Sequence, residues 1–198
     1  MKTVHGEHSR TALLASYEKD AALVRLGKML TEATWSLLGS AGTAKYLNEN
    51  GIACRDLSEI IGAPILGHRV VTLSREVHAG LLARDTAEDQ AELDKLGIAR
   101  IELVYGTLYP LEKTVADPKA TPEDVLDKTD MGGPALLRSA AKGRRIVLSS
   151  PDQLDEFEKH LSADDFGEKY LVSLAAAAER RVADYVSTSA SYWEKKSV

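Results

Sequence analysis

Short apolar runs alternate with longer stretches of helical spacing along this chain, and that alternation restricts the fold more than any other feature. Residues 11–16, Thr-Ala-Leu-Leu-Ala-Ser, read as a buried strand. Residues 18–32 then carry Leu23, Leu26 and Leu30 at helical spacing. Further strands are expected over residues 35–38, 52–57, 98–105 and 145–149. Helices are expected over 43–49, ended by Asn50-Gly51, again after Ser150-Pro151-Asp152, and over 162–193. Such a pattern predicts an α/β fold: a mostly parallel sheet flanked by helices on both faces. Ligands of such sheets bind beyond the carboxyl ends of the strands. Residues 62–77 are the least regular stretch, too long for a simple connection.

A length of 198 residues fits a flexible N-terminus, residues 1–10, followed by one domain over 11–198. The net charge is −5 and no basic face is apparent, so nucleic acid is not an expected partner. Residues 1–10 are polar and do not read as a signal peptide. No apolar run approaches a membrane span, so a cytoplasmic location is expected and a membrane is not. The single cysteine, Cys54, excludes an internal disulfide and reads as a buried, inert thiol. His5, His8, His68, His78 and His160 show no metal-ligand spacing, and no metal is expected.

Two glycine-bearing helix starts carry the chemistry. The first is Gly39-Ser40-Ala41-Gly42-Thr43, between a strand and a helix. Free amides and the positive end of the helix dipole favour an anion there, and Ser40 and Thr43 offer hydroxyls. The other reading is a plain strand-to-helix turn. The second is Asp130-Met131-Gly132-Gly133-Pro134, with Arg138 and Lys142 on the helix that follows. A carboxylate, amides and an ammonium at one spot would act as base, oxyanion donors and acid. The other reading is a capped surface helix. Tyr109, just past the fourth strand, would stand at the carboxyl edge of the sheet, and Arg69 suits an anion.

Taken in order, these segments resemble the amino-terminal IMP cyclohydrolase domain of the bifunctional purine-biosynthesis protein, whose other half is AICAR transformylase. The resemblance runs from residue 11 to 183 and rests on residues 12–19, 39–45, 69–73, 78–83, 108–110 and 130–142. It implies a methylglyoxal-synthase-like fold and ring closure of FAICAR to IMP without a cofactor. It also implies a homodimer and a phosphorylated purine-type nucleotide as partner. By resemblance, Lys19 and Gly39, Ser40, Ala41, Gly42 and Thr43 would hold the 5-phosphate. Arg69, Val71, Thr72 and Thr107 would line the substrate. Tyr109, Lys142 and the amides of Met131 and Gly132 would surround the reacting formyl oxygen, and Asp130 would deprotonate or orient the attacking nitrogen.

The departures fall at the reacting end. The family's Arg-Val-Lys-Thr-Leu-His-Pro reads Arg69-Val70-Val71-Thr72-Leu73-Ser74-Arg75, so a substrate-contacting lysine is replaced by valine. An expected asparagine is Thr107, and Ser-Val-Ser-Asp-Lys reads Ala15-Ser16-Tyr17-Glu18-Lys19. These changes imply a slower enzyme or a shifted substrate, such as an intermediate of a nucleoside-analogue pathway. The alternative is a non-catalytic purine-nucleotide-binding protein. Methylglyoxal synthase is a third and weaker reading.

Overall fold

The computed structural model describes residues 10–66 and 70–197. Five strands form one parallel sheet: β1 (Thr11–Ser16), β2 (Ser36–Gly39), β3 (Arg55–Asp56), β4 (Leu103–Thr107) and β5 (Ile146–Leu148), in the order β3-β2-β1-β4-β5. Leu13, Leu14, Leu103, Val104, Tyr105, Val147 and Leu148 are fully buried. Helices cover both faces, which is why these strands read as continuous apolar runs. The strand order reverses between β1 and β4. There Ser16 pairs with Thr107 in register, at the carboxyl edge.

The helices are α1 (Ala21–Glu32), α2 (Ala41–Glu49), α3 (Ser58–Ile61), α4 (Arg75–Leu82), α5 (Ala87–Leu96), α6 (Leu111–Ala116), α7 (Pro122–Asp127), α8 (Gly132–Lys142), α9 (Leu154–Ala163) and α10 (Glu168–Lys196). α1 packs against α2 and α9, and α8 packs against α4 and α10. Start signals are chemical. Asp20 accepts from Leu23 N at 3.0 Å to open α1, and Ser74 accepts from Val77 N at 3.1 Å to open α4. Thr121 and Asp124 form a capping box at α7.

Three expected boundaries differ. Only residues 55 and 56 of the stretch 52–57 pair as a strand. The Asn48 side chain takes up both backbone groups of Cys54, at 3.1 and 2.8 Å, leaving them no need of a strand partner. The stretch 98–105 joins the sheet only from Leu103, because the amides of Ile98 and Ile101 bond back to Leu93 and Gly80. The late helix expected over 162–193 begins later, and residues 162 and 163 belong to the helix before it. Asp164, in the left-handed region at φ 47°, ends α9, and α10 begins at Glu168. α5, α6 and α7 leave little trace in the sequence because each buries a single side chain: Leu93, Leu111 and Val125.

Residues 1–9, most of the expected flexible N-terminus, lie outside the described residues. Arg10 is anchored, ion-paired to Asp164 at 2.5 Å and lying over the Trp35 ring. Cys54 is buried, and burial pushes its thiol up to about 12. Among the described residues no helix is long and apolar enough to cross a membrane.

Candidate active site

At the carboxyl ends of β1, β2 and β4 the chain brings two groups of residues to one edge. The first surrounds the start of α2. Ser40 occupies the cap position without a side-chain capping bond. The Ala41 and Gly42 amides have no acceptor among the described residues. Lys19 bends over this turn. Its ammonium donates to the carbonyls of Ser16 and Tyr17, and a Cβ added at Gly42 would lie 3.9 Å from its Nζ. Partial burial lowers the Lys19 pKa from its ordinary value. Two open amides, an ammonium and the Ser40 hydroxyl lie together at a helix N-terminus, an arrangement whose chemistry favours an anion.

Two residues expected to hold an anion there have different work. Thr43 is fully buried, and its Oγ1 accepts from Ser16 N at 3.2 Å and from Ser40 Oγ at 3.0 Å. It ties α2 to β1 and presents no hydroxyl to solvent. Gly39 is needed for packing, since a Cβ there would lie 2.9 Å from both Ala44 N and Cys54 Sγ.

The second group surrounds the start of α8. Asp130 accepts from Gly133 N at 2.9 Å and closes the turn into the helix. Burial raises its pKa, against the opposing pull of the Gly133, Gly132 and Tyr109 amides. A carboxyl whose pKa is raised in this way is better suited to proton exchange than an ordinary, fully solvated one. Tyr109 stands beside it. Burial first, then the charge of Asp130, raises the phenol's pKa and keeps it a donor. Gly133 leaves room for this arrangement, because a Cβ there would lie 2.6 Å from Leu108 Cδ2 and collide with Asp130. Thr72 adjoins the same turn, 2.5 Å from where a Gly132 Cβ would stand. Met131 is exposed, and Val71 is partly buried nearby in sequence.

Thr107 joins the groups. Its Oγ1 accepts from Tyr17 N at 2.8 Å and shares a 2.7 Å hydrogen bond with Ser16 Oγ. It fixes the loop that carries Lys19, so its role here is scaffolding.

Lys142 is not brought to this group within the chain. α8 is 11 residues long, so at about 1.5 Å per residue Lys142 lies roughly 15 Å along the axis from Gly132. The spacing that put Arg138 and Lys142 on one face said nothing of distance from Asp130. Arg69 lies outside the described residues. Three contributors went unread in the sequence. Tyr17 packs on Tyr109 with ring centroids 5.0 Å apart. Lys128 Nζ lies 5.9 Å from each of those rings. Tyr185, from α10, accepts from Asp130 N and donates to Lys128 O, both at 2.8 Å. Only the departure at Tyr17 left a signal, since Lys128 and Tyr185 arrive from distant chain.

Fold and site together define an α/β domain with two open helix-start amides beside an ammonium, and a half-buried carboxylate next to a phenol, on one sheet edge. The chain belongs to the MGS-like domain family, whose model matches residues 22–135. It is homologous to PurH, the bifunctional purine biosynthesis protein. The Prochlorococcus marinus (strain MIT 9211) protein is 34% identical over 194 residues, 96% of this chain and 37% of that protein. The Synechocystis sp. protein is 39% identical over 153 residues, 75% and 30% of the two chains. This chain thus spans about a third of the length of these relatives. The crystal structure of ForH superposes with a TM-score of 0.80 at 32% identity, covering 95% of this chain and all of that one.

Proposed function

We propose that this chain closes the ring of a formamido-carboxamide ribonucleotide, FAICAR or a close analogue, releasing water. The observation that carries the reading is the coexistence on one sheet edge of the open cradle of Lys19, Ala41 and Gly42 with the Asp130–Tyr109 pair. The cradle suits the 5-phosphate. The pair suits the reacting atoms. In the first step the carboxamide nitrogen attacks the formyl carbon, and an N–C bond forms. Asp130 accepts a nitrogen-bound proton while the formyl oxygen gathers charge, which the Tyr109 phenol stabilises by donating to it. In the second step Asp130 returns that proton to the oxygen, then passes the formamide nitrogen's N–H proton to the resulting hydroxyl as a C=N bond forms and the C–O bond breaks, so the oxygen leaves as water. Atoms balance, and no electrons enter or leave. Lys142 takes no part in this scheme.

Val71 in place of a lysine removes one cationic donor, worth on the order of a hundredfold or more in rate. That change favours a slower enzyme or a substrate other than FAICAR. The decisive assay incubates the protein with FAICAR and follows the absorbance of IMP. Turnover is expected, slow but above the uncatalysed rate. The second reading, a non-catalytic nucleotide-binding protein, is favoured by the distance of Lys142 from Asp130. Binding of IMP by calorimetry with no turnover of FAICAR or another formamido ribonucleotide selects it.

A further inference from the structure

Lys128 is placed at the site with its ammonium outside any close ion pair among the described residues, its charge reaching only the Asp124 carboxyl, whose pKa it helps to lower. Its backbone closes α7, with its N–H on the carbonyl of Asp124 at 3.1 Å. Its carbonyl accepts from the almost fully buried Tyr185, which also holds Asp130 N. The residue is therefore pinned on both sides and stands two positions from the Asp130 carboxylate. Its side chain is half-buried, and the ammonium lies 5.9 Å from the centroids of both Tyr17 and Tyr109. It makes no ion pair and no side-chain hydrogen bond among the described residues. The two rings are tilted by 54° and remain 39% and 38% exposed, so the aromatic surface is open to a ligand.

An ammonium set against open aromatic faces has three donors and no acceptor. It suits a planar, oxygen-bearing ring that stacks on the tyrosines and turns a carbonyl oxygen toward the charge. A ring bearing an amino group at that place would set donor against donor. Resting on the nucleotide reading above, we propose that Lys128 is the ligand-contacting cation of the base end, selecting bases with an exocyclic oxygen over those with an exocyclic amine. The resembled pattern has a lysine where this chain has Val71, and Lys128 offers a cation from a different segment, the residue that caps the end of α7. Tyr17 and Tyr109 position it.

The test is calorimetry of the full chain and its K128M and K128R variants with IMP, AMP and ribose 5-phosphate. Wild type is expected to prefer IMP over AMP by tenfold or more. K128M should lose about tenfold to a hundredfold in IMP affinity, the range for a hydrogen bond to a charged donor. Its ribose 5-phosphate affinity should be unchanged and its IMP-over-AMP preference gone. K128R should keep that preference. A merely structural lysine at the end of α7 would move the unfolding midpoint and leave the IMP-to-AMP ratio alone. K128M binding IMP as tightly as wild type overturns the proposal while the nucleotide reading stands. Wild type binding neither IMP nor AMP overturns both.

Discussion

At the scale of single residues, the site turns on how Asp130 is held. Its carboxylate accepts the Gly133 amide, yet burial outweighs the amides and leaves its pKa above the ordinary 3.8. A base must be deprotonated to act, so activity should rise with pH through the Asp130 titration. The acid limb of kcat/KM is therefore expected above pH 3.8, displaced by the raised pKa. D130N should remove that limb and lower kcat on the order of a hundredfold to ten-thousandfold. An acid limb that survives D130N would assign the proton acceptor elsewhere. Thr107 makes the opposite kind of prediction. Its hydroxyl serves Tyr17 N and Ser16 Oγ, and T107V leaves both without that partner. The loss should be about 1–3 kcal/mol in a urea titration. Lys19, carried by the loop that Thr107 ties down, should then bind phosphate more weakly.

At the scale of elements, the two glycine-bearing helix starts are alike in sequence and unlike in packing. At α8 a Cβ on Gly133 meets Leu108 Cδ2 at 2.6 Å and the Asp130 carboxylate, two side-chain ends held in place, the first by burial and the second by its bond to the Gly133 amide. G133A should destabilise by about 1–3 kcal/mol, as overpacking does. At α2 a Cβ on Gly42 meets the end of Lys19, Cε at 3.6 Å and Nζ at 3.9 Å, both ordinary contacts. G42A should leave stability within about 0.5 kcal/mol of wild type, since that surface position has no such collision. Thermal melts of the pair check both. This contrast was hidden in the sequence, where both glycines looked like the same loop residue. What could be read there was local. Asn50-Gly51 after α2 and the five apolar runs announce themselves through neighbours in the chain. The position of Lys19, Ser40, Ala41 and Gly42 at the carboxyl edge of the sheet was legible for the same reason, because each follows a recognisable strand. The shortening of β3 was not, since it depends on an Asn48 amide that competes for Cys54 across six residues. Nor was the distance of Lys142, which becomes plain only once α8 is an unbroken helix.

At the scale of the whole molecule, α10 is the element that links the last part of the chain to the chemistry. It runs 29 residues and packs on α8, β5 and α6. Its Tyr185 hydroxyl stands between Lys128 O and Asp130 N, fastening the segment that carries both charged groups. Y185F keeps the ring and deletes that one clamp. Water reaches a half-buried loop, so the stability loss should fall near the low end for an unsatisfied pair, about 1 kcal/mol. The functional loss should be larger than the stability loss suggests, because small displacements of positioned groups cost rate steeply. Faster hydrogen exchange is expected at the amides of Asp130 and Gly133, with kcat reduced and ribose 5-phosphate affinity kept. V186A is the control, since Val186 is the next residue on the same helix and is 54% exposed. It should change neither exchange nor turnover. If Y185F turns over substrate at the wild-type rate while its exchange at Asp130 rises, the clamp serves folding alone, and the position of the carboxylate is set by Gly133 and the start of α8.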